Sequence, residues 1–166
     1  MNRQTEKFIT VGDYQVLVTK EPSYNMLNSI AQQHGNIADK VIRGLTNTIY
    51  RAKSSSDYFA VLLLKEKDYV IGYASFIQNS IEPSKWFYTD LWVASEYRRQ
   101  GIATQILKAG INQLVECHAK FLYCTVEPHN EASIRTQYAL GFTETKTEPF
   151  EFFMDMEGLI MFQKQL

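Results

Sequence analysis

Asp90-Leu-Trp-Val93-Ala-Ser-Glu-Tyr-Arg98-Arg99-Gln100-Gly101-Ile102-Ala103-Thr104 runs from the end of a strand through a short turn into the clearest helix of the chain. Over residues 101–117 the positions Ile102, Ile106, Leu107, Ile111, Leu114 and Val115 form one apolar stripe, with Thr104, Gln105, Lys108, Asn112 and Gln113 opposite. The residues before the helix, Arg99, Gln100 and Gly101, include none of the side chains that normally cap its first free N–H groups. Another acceptor must serve them. Gly101 lets the backbone approach a ligand closely, the helix N-terminus favours an anion, and Arg98 and Arg99 add positive charge, which together suit a phosphate or pyrophosphate. By itself such a turn is as readily a plain solvated one. It is neither a Walker A loop, since no Gly-Lys-Ser/Thr occurs, nor a GxGxxG fingerprint.

Working outward, residues 85–93, 69–77 and 58–64 read as a strand meander, with the polar Lys65-Glu-Lys-Asp68 turn between the last two. A further strand is expected at 14–19, after the Gly12-Asp13 turn. Helices are expected at 24–33 and 39–52, broken by Ser54-Ser-Ser-Asp57. Downstream, 121–126 is a strand, 130–140 a short helix stopped by Gly141, and 142–147 and 159–164 closing strands. The order predicts an α/β (α+β) fold in a single domain over residues 1–166.

The chain has 166 residues, 45% of them hydrophobic and 21% charged, the composition of one ordinary domain. Its eighteen acidic and seventeen basic side chains leave a net charge of −1, without the basic excess that nucleic acid or an anionic membrane requires. No apolar run approaches the ~20 residues that span a bilayer, and the expected location is cytoplasmic. Cys117 and Cys124 form no metal-ligand spacing with His34, His118 and His129, so no metal is expected and both thiols are read as buried and reduced.

Two linked motifs resemble the GNAT superfamily of acyl-CoA-dependent N-acetyltransferases. Asp90-Leu-Trp-Val93 followed by Arg98-x-x-Gly101-x-Ala103 is similar to that family's pyrophosphate signature. Val126-x-x-x-Asn130-x-x-Ser133, ending Leu140-Gly141-Phe142, is similar to its asparagine-led helix. The resemblance implies a mixed, mostly antiparallel sheet of six to seven strands with about four helices. It also implies a splay between strands 4 and 5, at 85–93 and 121–126, where acetyl-CoA lies. Pantetheine would pair with Leu91, Trp92 and Val93, and main-chain N–H groups of Arg98, Arg99, Gln100, Gly101, Ile102, Ala103 and Thr104 would hold the pyrophosphate. Asn130, Ser133 and Gln137 would face the pantetheine arm, although Asn130 is equally suited to be an ordinary N-cap.

One position departs from the family. The tyrosine expected seven residues after the asparagine, the acid for the departing thiolate, is replaced by Gln137; Tyr138 follows, about 100° away around the helix. A thiol of pKa roughly 8.5 leaves tolerably unaided, whereas an amine of pKa about 10.4 is neutral in only about one molecule in 2,500 at pH 7. The base therefore matters more than the acid. Candidates are Asp90, which strict alternation places beside Trp86, Tyr88 and Trp92, or Glu127, or His129; each is also explained as a rim, strand-end or loop residue. The stretch 144–157 carries Glu144, Glu148, Glu151, Asp155 and Glu157 against Lys146 alone, either an acidic wall for a basic substrate or a solvated face. The expected function is acetyl transfer from acetyl-CoA to a primary amine, in a monomer or homodimer. The alternative is an acyl-CoA-binding regulatory domain.

Overall fold

The computed structural model describes residues 6–146 and 157–166. In chain order the elements are β1 (Glu6–Val11), β2 (Tyr14–Thr19), α1 (Tyr24–Gln32), α2 (Ala38–Ser55), β3 (Tyr58–Glu66), β4 (Tyr69–Gln78), β5 (Lys85–Val93), α3 (Ile102–Glu116), β6 (Phe121–Val126), α4 (Glu131–Ala139), β7 (Thr143–Glu144) and β8 (Ile160–Gln165). Short 3-10 turns at Gly35–Ile37 and Ser95–Tyr97 precede α2 and α3. The strands form one sheet in the order β1-β2-β3-β4-β5-β6-β8-β7. Every neighbouring pair is antiparallel except β5 and β6.

The unbroken apolar run of β3 follows from burial on both faces. Phe59, Val61 and Leu63 join α3 residues Ile102, Ile106, Leu107 and Leu114 in one core. Tyr58, Ala60, Leu62 and Leu64 join Leu27, Ile30, Leu45 and Ala52 of α1 and α2 in the other. Two glycines seat α3 on the sheet: a Cβ on Gly72 would meet Ile106 Cδ1 at 2.5 Å, and one on Gly110 would meet the Phe76 ring at 2.0 Å. This close seating fixes the N-terminus of α3 at the end of β5.

Three expectations are corrected. The sheet gains a strand, β1, at its edge and exposed along nearly its whole length, whose apolar residues Phe8, Ile9 and Val11 are too few and not cleanly alternating to mark it. Helix α2 runs through Ser54 and Ser55, whose hydroxyls donate to the carbonyls of Tyr50 and Arg51 at 2.7 and 2.9 Å and so satisfy themselves without ending the helix. Cys117 is exposed, while Cys124 is buried as expected. The strand expected at 142–147 is described only as Thr143–Glu144, and its last residue, like Glu148, Glu151 and Asp155, lies outside the described residues. No helix among the described residues is long and apolar enough to cross a membrane.

Candidate active site

The parallel ladder between β5 and β6 joins only Lys85, Trp86 and Phe87 to Phe121, Leu122 and Tyr123. Beyond these pairs the strands part. A cleft of about 480 Å³ opens there, bounded by Asp90, Leu91 and Val93 of β5, Thr125 and Val126 of β6, and Asn130, Ser133 and Thr136 on the α4 side. A second hollow of about 520 Å³, lined by Arg99, Gly101, Ile102, Ala103, Thr104 and Arg135, shares Val93, Arg98, Ala103, Ala132 and Thr136 with the first. The two are one continuous groove from Asp90 to the N-terminus of α3.

At that N-terminus the sequence expectation meets its geometry. Gly101 is the N-cap with φ +78°, and no side chain caps the helix. Arg99 is also left-handed, at φ +62°, so the turn curls tightly before the first helical amides. Arg98 Nε donates to the Val93 carbonyl at 3.0 Å, tying the turn to the end of β5. An uncapped helix start, two arginines and a groove leading into them form a surface that fits a pyrophosphate.

Asp90 is placed differently from strict alternation. Tyr73 of β4 pairs with Trp92 and Ser75 with Thr89, so Ala74 stands opposite both Asp90 and Leu91. This is a β-bulge, with Asp90 at φ +58°, a conformation that aspartate tolerates better than most residues. The extra residue reverses the side-chain phase of the strand. Trp86 and Tyr88 face the α3 core, whereas Asp90 turns to the opposite face, the side of Ser75 and Tyr73. Trp92 follows it, its ring 5.4 Å from that of His34. Asp90 remains open to the cleft, yet the protein mass around it raises its pKa, with the nearby Ser75 hydroxyl opposing the rise.

The other expected site residues separate into two groups. Leu91, Val93, Arg98, Ala103, Asn130 and Ser133 line the cleft, and Arg99, Gly101, Ile102 and Thr104 its extension. Trp92, Gln100 and Gln137 line neither. Asn130 Oδ1 accepts from the Ser133 N–H at 3.1 Å, an N-cap at the cleft wall. Gln137 is fully buried, with Cys124 Sγ 3.5 Å from its Oε1. Glu127 lines the cleft but is exposed and pairs with His129 at 2.9 Å.

Tyr138 is half exposed, donates to Glu144, and lies on neither part of the groove. Tyr138→Phe is therefore expected to leave turnover and its pH profile unchanged, which steady-state kinetics will check. Arg135 and the stripe Ala132, Thr136 and Ala139 escaped the sequence reading. Their i, i+4, i+7 spacing of small side chains is the signal that α4 presents a low wall to a groove. No group of three His, Cys, Asp or Glu side chains among the described residues is placed to hold a metal.

Many solved structures share this fold. An acetyltransferase of the GNAT family from Staphylococcus aureus superposes with a TM-score of 0.70 at 12% identity, over 91% of this chain and 99% of the other. PaiA N-acetyltransferase from Thermoplasma acidophilum, in complex with coenzyme A, gives 0.67 at 15% identity over 91% and 99%. Ribosomal-protein-S5-alanine acetyltransferase from Vibrio fischeri gives 0.68 at 17% identity over 96% of each chain. No curated protein matches the sequence. The sequence model of the acetyltransferase (GNAT) family matches residues 26–142, most of the chain and every wall of the groove, and the chain belongs to that family.

Proposed function

We propose that the protein transfers the acetyl group of acetyl-CoA to a primary amine by direct attack, without a covalent enzyme intermediate. The observation that supports it is the groove joining an acceptor-side carboxylate, Asp90, to the uncapped start of α3. Acetyl-CoA supplies the activated acyl group as substrate. The first-turn amides of α3 with Arg98 and Arg99 hold its pyrophosphate, and main-chain groups of residues 91–93 pair with the pantetheine arm. N–H groups near Val93 polarise the thioester carbonyl.

The amine nitrogen bonds to the carbonyl carbon, the carbon–sulfur bond breaks, and the amine's surplus proton passes to Asp90. The raised pKa of Asp90 narrows its gap to the amine and so favours that transfer. CoA departs as thiolate and takes its proton from solvent. The chemistry of the bulge brings the amine to Asp90 from the α1/α2 side of the sheet.

A second reading, an acyl-CoA-binding regulatory domain, is favoured by one observation. The family's tyrosine position holds the buried amide of Gln137, and Tyr138 is turned away to Glu144. Both readings require the ligand. At a hundredfold excess over Kd, acetyl-CoA should add about 2.7 kcal/mol, raising Tm by roughly 5–10 °C for a domain of this size, with a plain nucleotide as control. No shift at millimolar acetyl-CoA would remove both readings. Thiol release in a screen of amines then separates them, since only the enzyme turns over.

A further inference from the structure

The groove is polarised along its length. Its inner cleft carries two carboxylates, Asp90 and Glu127, whereas the outer hollow of about 520 Å³ is lined by Arg98, Arg99 and Arg135 and, among the described residues, by no acidic side chain. In a chain of net charge −1, three guanidinium groups around one hollow mark the place of a strongly anionic group. Arg98 and Arg99 sit in the turn that leads into α3, and Arg98 is tied there by its Nε bond to the Val93 carbonyl at 3.0 Å. Arg135 comes from the opposite wall, α4, and lines only the outer hollow, while Ala132 and Thr136 of the same helix line both parts.

Packing does not explain Arg135. Its side chain is 72% exposed, and it pairs at 3.3 Å with Glu131, one turn back on the same helix and itself 80% exposed. Such an exposed pair stabilises a helix little, so a ligand can take the guanidinium from Glu131 readily.

We infer that Arg135 binds the phosphate monoester on the 3′ oxygen of the ligand's adenosine, and so makes the protein select acyl-CoA over the same carrier lacking that phosphate. The inference rests on the acetyl-CoA reading above and deepens it. The order of parts along the ligand sets the position. With the acyl group at Asp90, the pantetheine arm along residues 91–93 and the pyrophosphate on the first-turn amides of α3, the adenosine is the next part outward. Arg98 and Arg99 match the pyrophosphate charge for charge, which leaves Arg135 for the monoester. That group carries about −1.5 to −2 charge at pH 7 and three acceptor oxygens, and a planar guanidinium meets two such oxygens at once.

The test compares CoA with 3′-dephospho-CoA by calorimetric titration in the parent, Arg135→Gln and Arg99→Gln. The parent should bind CoA about tenfold tighter, the lower end for a charged hydrogen bond at an exposed site. In Arg135→Gln the ratio should fall to near one, with the affinity for 3′-dephospho-CoA unchanged. Arg99→Gln should weaken both ligands alike, because both carry the pyrophosphate. Arg135→Gln changes an exposed helix position and should melt like the parent. The inference is overturned if the parent binds the two ligands equally, or if Arg135→Gln keeps the parent ratio. It is also overturned if Arg99→Gln narrows the ratio as much, since the preference would then belong to the overall charge of the hollow. Equal binding leaves the acetyl-CoA reading standing, whereas a parent that binds neither ligand removes that reading and this inference with it.

Discussion

Asp90→Asn lowers kcat/KM for the acceptor by about 10²–10⁴-fold near neutral pH, the contribution of a positioned general base, and abolishes the acid limb of the pH profile. Acetyl-CoA affinity is expected to stay unchanged, because the groups proposed to hold it are main-chain amides and the arginine turn some residues away. The amide is nearly isosteric, and asparagine tolerates the left-handed backbone of this position as aspartate does, so the bulge survives. What is lost is a proton acceptor. The sign with pH is fixed by the chemistry: the base works only when ionised, so the parent rate falls as pH drops through the Asp90 pKa. Burial raises that pKa above the ordinary aspartate range, which moves the limb toward neutrality. Steady-state rates of thiol release across pH, for parent and variant, check both statements. Equal rates for the two proteins would leave Glu127, the other carboxylate on the cleft, to be examined.

Gly110→Ala destabilises the fold by about 2–3 kcal/mol, although alanine is the better helix former by about 1 kcal/mol. The added methyl would stand 2.0 Å from Phe76 Cζ and within 2.6 Å of both neighbouring ring carbons. Phe76 has nowhere to go: it is fully buried, stacked on Phe59 with centroids 4.8 Å apart, and bordered by Tyr88 at 5.9 Å. The helix must lift from the sheet instead. For a domain of this size the loss lowers Tm by roughly 5–10 °C, and urea melts provide a second measure. Because the same helix carries, at its other end, the turn proposed to hold the pyrophosphate, acetyl-CoA binding is expected to weaken in parallel. Phe76→Leu in the Gly110→Ala background should recover part of the stability, since the two sites share one contact and are not additive.

The legible parts of this molecule were those where periodicity and burial coincide. The run of β3 announced a strand, and the stripe of α3 announced a helix whose N-terminus no side chain caps. Gly141 stopped α4 as expected: its N–H donates to the Tyr138 carbonyl at 3.0 Å and the Phe142 N–H to that of Gln137 at 3.0 Å. The phase of β5 was not legible. Alternation assumes one residue per position, and a bulge that uses aspartate in place of glycine gives no separate sign in the sequence. Trp86 and Tyr88 were therefore grouped with Asp90, when the strand sends them to opposite faces. β1 was hidden for a different reason: Phe8 and Ile9 sit side by side and so fall on opposite faces of an exposed edge strand, which breaks the alternation that marks a half-buried one. Helix α2 outlasted its serines because their hydroxyls turned back on the preceding turn.

The parting of β5 from β6 leaves strand edges in the interior of a sheet. Elsewhere the protein keeps its margins unattractive: β7 is two residues long, and β1 carries Glu6 and Lys7. The parted edges of β5 and β6 are neither short nor at the margin, so they need another device. A helix covers them instead: the parted edges face α4, whose Ala132, Ser133 and Thr136 line the cleft together with Arg98. The same helix that walls the groove thus also keeps foreign polypeptide from completing the sheet.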